Sequence, residues 1–346
     1  MQLKIFTDET GFDLLRSHWN NLLTSSAANT VFLTWEWQST WWRCLGTGDL
    51  YLLAWFDDDR LVGIAPLYLS RGDDGVRRFA LVGCVDVSDY LDVIVASGYE
   101  EVVYRALLDW LQSPAAPAWD VMYLCNLPED SATHKRLPEL AAARGLSCVV
   151  AVEDVCPVIK LPADYESYLQ DVLGKKQRHE VRRKARRIGE AANVSWYAID
   201  STSDLQAETD AFIELHRLST TEKHSFMTSD MQVFFREIVR EMHQAGWLYL
   251  AFIELDGQRA AAMLGFVYDN RLLVYNSGYD PENFAELSPG IVLTSYIIED
   301  AIQRNLQIFD FLQGDEVYKY RFGASDTLVY AVTIQNGQGS GQAEAG

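Results

Sequence analysis

Between Gln307 and Gly323 the chain reads Gln-Ile-Phe-Asp-Phe-Leu-Gln-Gly-Asp-Glu-Val-Tyr-Lys-Tyr-Arg-Phe-Gly, an apolar run that gives way to a turn crowded with ionisable groups. Ile308, Phe309, Phe311 and Leu312 make a short β-prone stretch of the kind buried on both faces, with Asp310 set into it. A carboxylate in such a strand requires a partner or a task, because an uncompensated buried charge is costly. After Gly314 come the acids Asp315 and Glu316 and the bases Lys319 and Arg321, interleaved with Tyr318 and Tyr320. A cation fixed there can stabilise charge developing on a carbonyl oxygen, while Asp310 or Glu316 orients it or takes a proton and Tyr318 lines the pocket. An exposed turn with ordinary salt bridges has the same composition.

Three further clusters could carry chemistry. Lys175, Lys176, Arg178, Arg182, Arg183, Lys184, Arg186 and Arg187 fall within Gly174 to Glu190, a segment of charge +6 in a chain of −20. At helical spacing Val181, Ala185, Ile188 and Ala192 form a narrow apolar stripe beside a cationic one of Lys175, Arg178, Arg182 and Arg186. Like charges at that spacing repel, so the stripe calls for internal acidic partners or an external phosphate-bearing ligand. Such a ligand could be a cofactor diphosphate, a sugar nucleotide or a tRNA acceptor stem. Ser288-Pro289-Gly290 opens a helix, with Ser288 as N-cap and Pro289 at the first helical position. A helix start is also a phosphate site. His216 and His224 flank a polar connection and are candidate bases, set against ordinary surface or capping roles.

Asp310-Phe311-Leu312-x-Gly314 followed by Glu316-x-Tyr318-Lys319-x-x-Phe322-Gly323 resembles the C-terminal signature of the CelD-like acyltransferases associated with cellulose biosynthesis. These are relatives of the Fem-type peptidyltransferases in the GNAT superfamily. The resemblance implies an α/β (α+β) fold of tandem GNAT-like domains, with mixed, twisted β-sheets flanked by helices. It implies acyl transfer by direct attack of an amine or hydroxyl on an activated ester or thioester. Lys319 is the position matching the lysine of the Fem-type motif. In GNAT enzymes the helix start corresponding to Ser288, Pro289 and Gly290 binds the diphosphate of acyl-CoA, so these residues and Arg321 are the expected cofactor contacts. Only Ser288-Pro289-Gly290 remains here of the usual glycine-rich turn. The donor expected is acyl-CoA, such as acetyl-CoA, and the acceptor a small molecule or saccharide precursor. Lys175, Arg178, Arg182 and Arg186 are the expected substrate-phosphate contacts. An aminoacyl-tRNA-dependent Fem-type peptidyltransferase and a catalytically silent GNAT-like binding or scaffold module are the alternatives.

The elements that must position these groups follow the sequence pattern. Thr10 to Ser25 and Thr34 to Cys44 read as helices, the second carrying Trp35, Trp37, Trp41 and Trp42 as core. Leu50–Phe56 and Leu61–Leu69 read as a hairpin around Asp57-Asp58-Asp59-Arg60, then a helix at Glu100–Leu111 and a strand at Trp119–Cys125. The order returns in Leu248–Phe252, the turn Asp256-Gly257-Gln258-Arg259, Ala260–Tyr268, a helix from Pro289 to Arg304 and the strand Gln307–Leu312. That repeat predicts a duplication, with halves at 1–160 and 161–334, and the tail at 335–346, without an apolar anchor, is expected to be disordered.

With 346 residues, 49% of them hydrophobic, the chain can bury two domain cores. Its longest apolar runs are too short to span a bilayer and its start lacks an apolar signal core, which predicts no membrane span and a cytoplasmic location. One basic segment in an acidic chain does not suit a double-stranded DNA binder. The five cysteines lack CxxC spacing and read as reduced core thiols rather than disulfides or metal ligands, so no metal is expected. GxSxG, GxxxxGK[ST], HExxH and GxGxxG are missing, leaving hydrolase, NTPase, zincin and dinucleotide readings without support.

Overall fold

The computed structural model of the chain describes residues 1–84 and 87–337. Two compact units form, one of Met1–Asp154 with the residues from Leu328 onward, the other of Val155–Thr327. The elements of the first are β1 (Gln2–Phe6), α1 (Thr10–Thr24), α2 (Trp35–Leu45), β2 (Asp49–Asp57), β3 (Arg60–Arg71), β4 (Arg77–Leu81), β5 (Ile94–Val95), α3 (Glu100–Leu111), β6 (Val121–Pro128) and α4 (Ala132–Ala142). Strand β7 (Ser147–Lys160) leads into the second unit. There follow α5 (Tyr165–Ser167), a π-turn (Tyr168–Val172), α6 (Lys175–Ala191), β8 (Val194–Ala198), α7 (Leu205–Ser219), α8 (Thr221–Phe226) and α9 (Ser229–Gln244). Then come β9 (Leu248–Leu255), β10 (Gln258–Tyr268), β11 (Arg271–Tyr279), α10 (Pro281–Phe284), α11 (Pro289–Gln303), β12 (Ile308–Asp310), α12 (Val317–Arg321) and β13 (Ser325–Gln335).

In the first unit β1-β2-β3-β4-β6-β13 lie side by side, antiparallel except for the parallel pair β4 and β6. The tryptophan-rich helix packs inward: Trp35, Trp37 and Trp41 are buried, Trp42 is half-buried, and Thr34 Oγ1 caps the helix at Trp37 N. The C-terminal strand, expected up to residue 334 in the second half, pairs with β6 of the first unit, which holds the chain from Leu328 onward. Gln335 is the last residue of that strand, and Asn336 Nδ2 donates to Trp119 O at 2.9 Å. The remainder of the expected tail, 338–346, lies outside the described residues. Cys84 and Cys125 form a disulfide with Cα atoms 6.2 Å apart, which corrects the reduced-thiol reading for these two. Their spacing of 41 residues hid the pairing, which arises because the end of β4 lies against β6. Among the described residues Cys44, Cys148 and Cys156 are not disulfide-bonded.

In the second unit the end of β7 joins β12-β11-β10-β9-β8, mixed in direction and flanked by helices. Tight turns set its registers: Asp256 and Gly257, and then Asp269 and Asn270, take the left-handed backbone that two-residue hairpin loops demand. Asp58, in the loop of the first unit's hairpin, has φ 50° against 51° for Asp256, so the repeated sequence yields a repeated turn. Two irregularities open this sheet. Residue 275 bulges out between the pairs Leu264↔Asn276 and Gly265↔Val274, where a Cβ on Gly265 would stand 2.4 Å from Leu273 O. The parallel pairing of β11 with β12 ends at Leu273↔Asp310, so the two strands part beyond it. Among the described residues no helix is long and apolar enough to cross a membrane.

Candidate active site

The turn after β12 is built around Lys319. Asp310 Oδ1 accepts from Leu312 N at 2.9 Å, holding Leu312 at φ 57°, and Gly314 follows at φ 106°. This path turns three successive carbonyls inward. Lys319 Nζ donates to Leu312 O (3.2 Å), Gln313 O (2.6 Å) and Gly314 O (3.0 Å), and pairs with Glu316 Oε2 at 2.8 Å. With its side chain only 3% exposed, the ammonium is enclosed by its own turn. Lys319, expected as an oxyanion contact, thus has four acceptors of its own turn around its three N–H bonds. Asp310 orients Leu312, and Glu316 is an exposed partner of Lys319, so neither is presented as a free proton acceptor. The turn instead fixes the residues that follow it, Tyr318 and Arg321.

Tyr318 and Arg321 border two cavities that adjoin at Ile291. The first, about 380 Å³, is lined by Lys176, Gln177, Glu180, Val181, Lys184, Ile291, Arg321 and Phe322. Three cations face one carboxylate there. The nearby Arg183, which donates to Glu180 at 2.9 and 2.7 Å, holds that carboxyl below its usual range. The second cavity, about 300 Å³, lies against Ala262, Met263, Ser277, Gly278 and Tyr279 of the opened sheet, Ser288 to Ile291 of α11, and Tyr318. Burial, reinforced by the charge of Glu316, raises the Tyr318 phenol above its ordinary value, so it carries its proton at neutral pH.

Ser288, Pro289 and Gly290 stand at the rim shared by these spaces. Ser288 takes the left-handed conformation (φ 54°, ψ 50°), and its hydroxyl does not cap the helix. It accepts from Lys184 Nζ at 2.8 Å instead. A Cβ on Gly290 would meet nothing within 4 Å, so the first turn of α11 is open to an incoming group. An open helix start beside a lysine suits a phosphate.

The expected substrate contacts lie on the other flank of α6. Arg178 donates to Leu169 O at 3.0 Å, Arg182 lies 3.7 Å from Glu166, Arg186 lies 3.7 Å from Glu190, and Lys175 is exposed. None of the four borders either cavity. The apolar stripe of Val181 and Ile188 is buried as expected, but a stripe has two flanks, and Lys176 and Lys184 occupy the one facing α11. Lys176 and Lys184, eight residues apart on one face of an amphipathic helix capped at Gly174, are the only sequence signal that pointed to this flank.

The two histidines, expected as candidate bases, lie apart from these cavities. His216 is buried among Phe212, Phe226 and Phe235, with Nε2 against Asn276 Oδ1 at 3.1 Å; burial and the nearby Lys223 lower its pKa to about 4. His224 is exposed on α8, and neither histidine lines either of these two cavities. Lys223, between them and missed in the sequence, bonds Ser277 O, and Ser277 lines the second cavity. Among the described residues no group of three or more His, Cys, Asp or Glu side chains is arranged to hold a metal ion.

Residues 175–320 match the model of an acetyltransferase (GNAT) domain. No curated protein matches the chain by sequence. Among solved structures it is similar to FemX (12% identity, 96% of this chain and 97% of that one, TM-score 0.66). It is also similar to L-PGS from Bacillus licheniformis (8%, 91% and 90%, TM-score 0.56). A tandem GNAT protein from the clavulanic acid biosynthesis pathway matches over 96% of this chain and 98% of that one, at 13% identity and TM-score 0.50. The chain thus has the fold of tandem GNAT proteins, and the stretch of its second unit at 175–320 matches the GNAT acetyltransferase domain model.

Proposed function

We propose that the protein transfers an acyl group from a phosphate-bearing activated donor, acyl-CoA in the first instance, to an amine or hydroxyl of a small molecule or saccharide precursor. The main support is the junction at Ile291, where a cationic cavity meets an apolar one that holds Tyr318. Lys184, Lys176, Arg321 and the open first turn of α11 would hold donor phosphates, and the apolar cavity beside the parted strands would take the thioester arm. The Tyr318 hydroxyl, kept protonated by burial, would protonate the leaving thiolate. Lys319 would act by holding the turn that presents Tyr318 and Arg321, not by touching the donor. The likeness of the Asp310–Gly323 signature to CelD-like acyltransferases and the GNAT match over 175–320 favour this class.

Isothermal titration of acetyl-CoA and longer acyl-CoAs into the wild type and Lys184→Met tests the donor. Saturable binding that weakens roughly tenfold or more in the variant is expected, as for loss of a charge-assisted phosphate contact. Absence of acyl-CoA binding would remove this donor. A second reading, transfer from aminoacyl-tRNA, is favoured by the exposed cations Lys175, Arg182 and Arg186 along the outer face of α6. Binding of a charged-tRNA mimic alone, weakened in Arg182→Ala, would put it first.

A further inference from the structure

Lys223 is a half-buried ammonium without a carboxylate in ion-pair range among the described residues. Its Nζ contacts Ser277 O, and Ser277 Oγ lies 3.4 Å away. The surrounding charges do little to hold a proton on it. His216, from α7, is itself disfavoured as a cation beside Lys223, and Glu316, at the start of α12, is the one carboxylate acting on it among the described residues. Burial lowers the pKa of Lys223, with Glu316 opposing. Ser277, on the opened β11, lines the same cavity as Tyr318 and Gly290. A residue lining the cavity thus meets a half-buried amine through its carbonyl and, at 3.4 Å, its hydroxyl.

We propose that Ser277 and Lys223 form the proton relay of the acceptor side, Ser277 Oγ passing the proton of the attacking amine to Lys223 Nζ. The inference rests on the acyltransferase reading of this cavity. In the step it describes, the acceptor nitrogen bonds to the acyl carbon while its proton moves to Ser277 Oγ, whose own proton moves to Lys223 Nζ. The carbon–sulfur bond of the thioester breaks, and the thiolate takes the proton of Tyr318. Lys223 then returns its proton through solvent to Tyr318, so an amide and a free thiol are the only net products. Ser277 and Lys223 are thereby assigned opposite duties from Tyr318: two groups take a proton where one gives it.

The test uses the full chain with lysine ¹⁵N-labelled. Its Nζ signals are followed with pH, Lys223 being assigned by loss in Lys223→Arg, while acetyl-CoA binding is measured by calorimetry and acetyl transfer by free-thiol release with water or a panel of amines. The relay predicts that Lys223 loses its proton well before the exposed lysines. It also predicts that Lys223→Arg binds acetyl-CoA normally but falls at least a hundredfold in turnover, because a guanidinium keeps the charge and hydrogen bond yet accepts no proton. Ser277→Ala should lower turnover about tenfold or more with donor binding kept. Lys223 remaining charged alongside the exposed lysines, or full turnover in Lys223→Arg, would overturn the relay while normal acetyl-CoA binding left the donor reading standing. Failure of acetyl-CoA to bind would overturn that reading, and the Lys223 titration would then decide by itself whether a neutral amine stands behind Ser277.

Discussion

Replacing Lys319 by Met separates a lysine that holds a turn from one that performs chemistry. Met preserves most of the aliphatic packing and removes the ammonium, leaving Leu312 O, buried, and Gln313 O and Gly314 O, half-buried, without their donor. Hydrogen bonds to a charged group contribute about 1.5–3 kcal/mol each, but water can replace the donor at the two half-buried carbonyls. The pair with Glu316 adds little, since that carboxylate is 59% exposed. The buried Leu312 carbonyl costs about 1–3 kcal/mol when unsatisfied, and the left-handed backbone at Leu312 loses its brace. Summing the buried carbonyl and the unbraced backbone, a net loss of roughly 2–6 kcal/mol is expected. Chemical denaturation followed by fluorescence measures it, with acetyl-CoA titration at a temperature where the variant remains folded. The expected outcome is a large loss of stability with donor affinity and residual turnover reduced in proportion to the unfolded fraction. A variant as stable as the wild type but without turnover would refute the reasoning and return Lys319 to the chemistry.

Two further perturbations probe the units separately. Asp92, in the first unit, is fully buried beside Thr133 and Ser131, and burial pushes its carboxyl up to about 6, against their hydrogen bonds. Because the folded state holds that proton more tightly, its contribution is fully present below the unfolded value near 3.8 and is lost as pH rises to about 6, a span of about 3 kcal/mol. Asp92→Asn, which resembles the protonated acid, should flatten the pH dependence of the urea midpoint across that window; an unchanged slope would remove Asp92 as its source. In the second unit a Cβ on Gly278 would stand 2.3 Å from His216 N and 2.5 Å from Leu215 C, both backbone atoms of α7. Gly278→Ala should therefore cost at least about 1–3 kcal/mol by forcing α7 off β11, and a wild-type midpoint would contradict that close packing.

Local rules made much of this chain legible. Asp57 to Arg60 and Asp256 to Arg259 announce hairpins because few residues adopt the backbone such loops require, and the two loops do share the left-handed aspartate. Val181 and Ile188 mark the docked face of α6, and Ser288-Pro289-Gly290 marks the start of α11, because periodicity and φ restriction act over a few residues. The site needed information from farther along the chain. An apolar stripe has two cationic flanks of similar composition, and only the position of α11 decides that Lys176 and Lys184 face a cavity while Arg182 and Arg186 do not. Lys319 stood out as a free cation until the turn through Leu312 and Gly314 brought three carbonyls onto it. His216 and His224 stood out by residue type, yet burial removed one and exposure the other, leaving Lys223 beside the cavity serine. Residue types, turns and helix starts are fixed by interactions within a few positions of sequence; which charge is satisfied and which remains to meet a ligand depends on groups tens of residues away, and the tertiary structure alone brings those together.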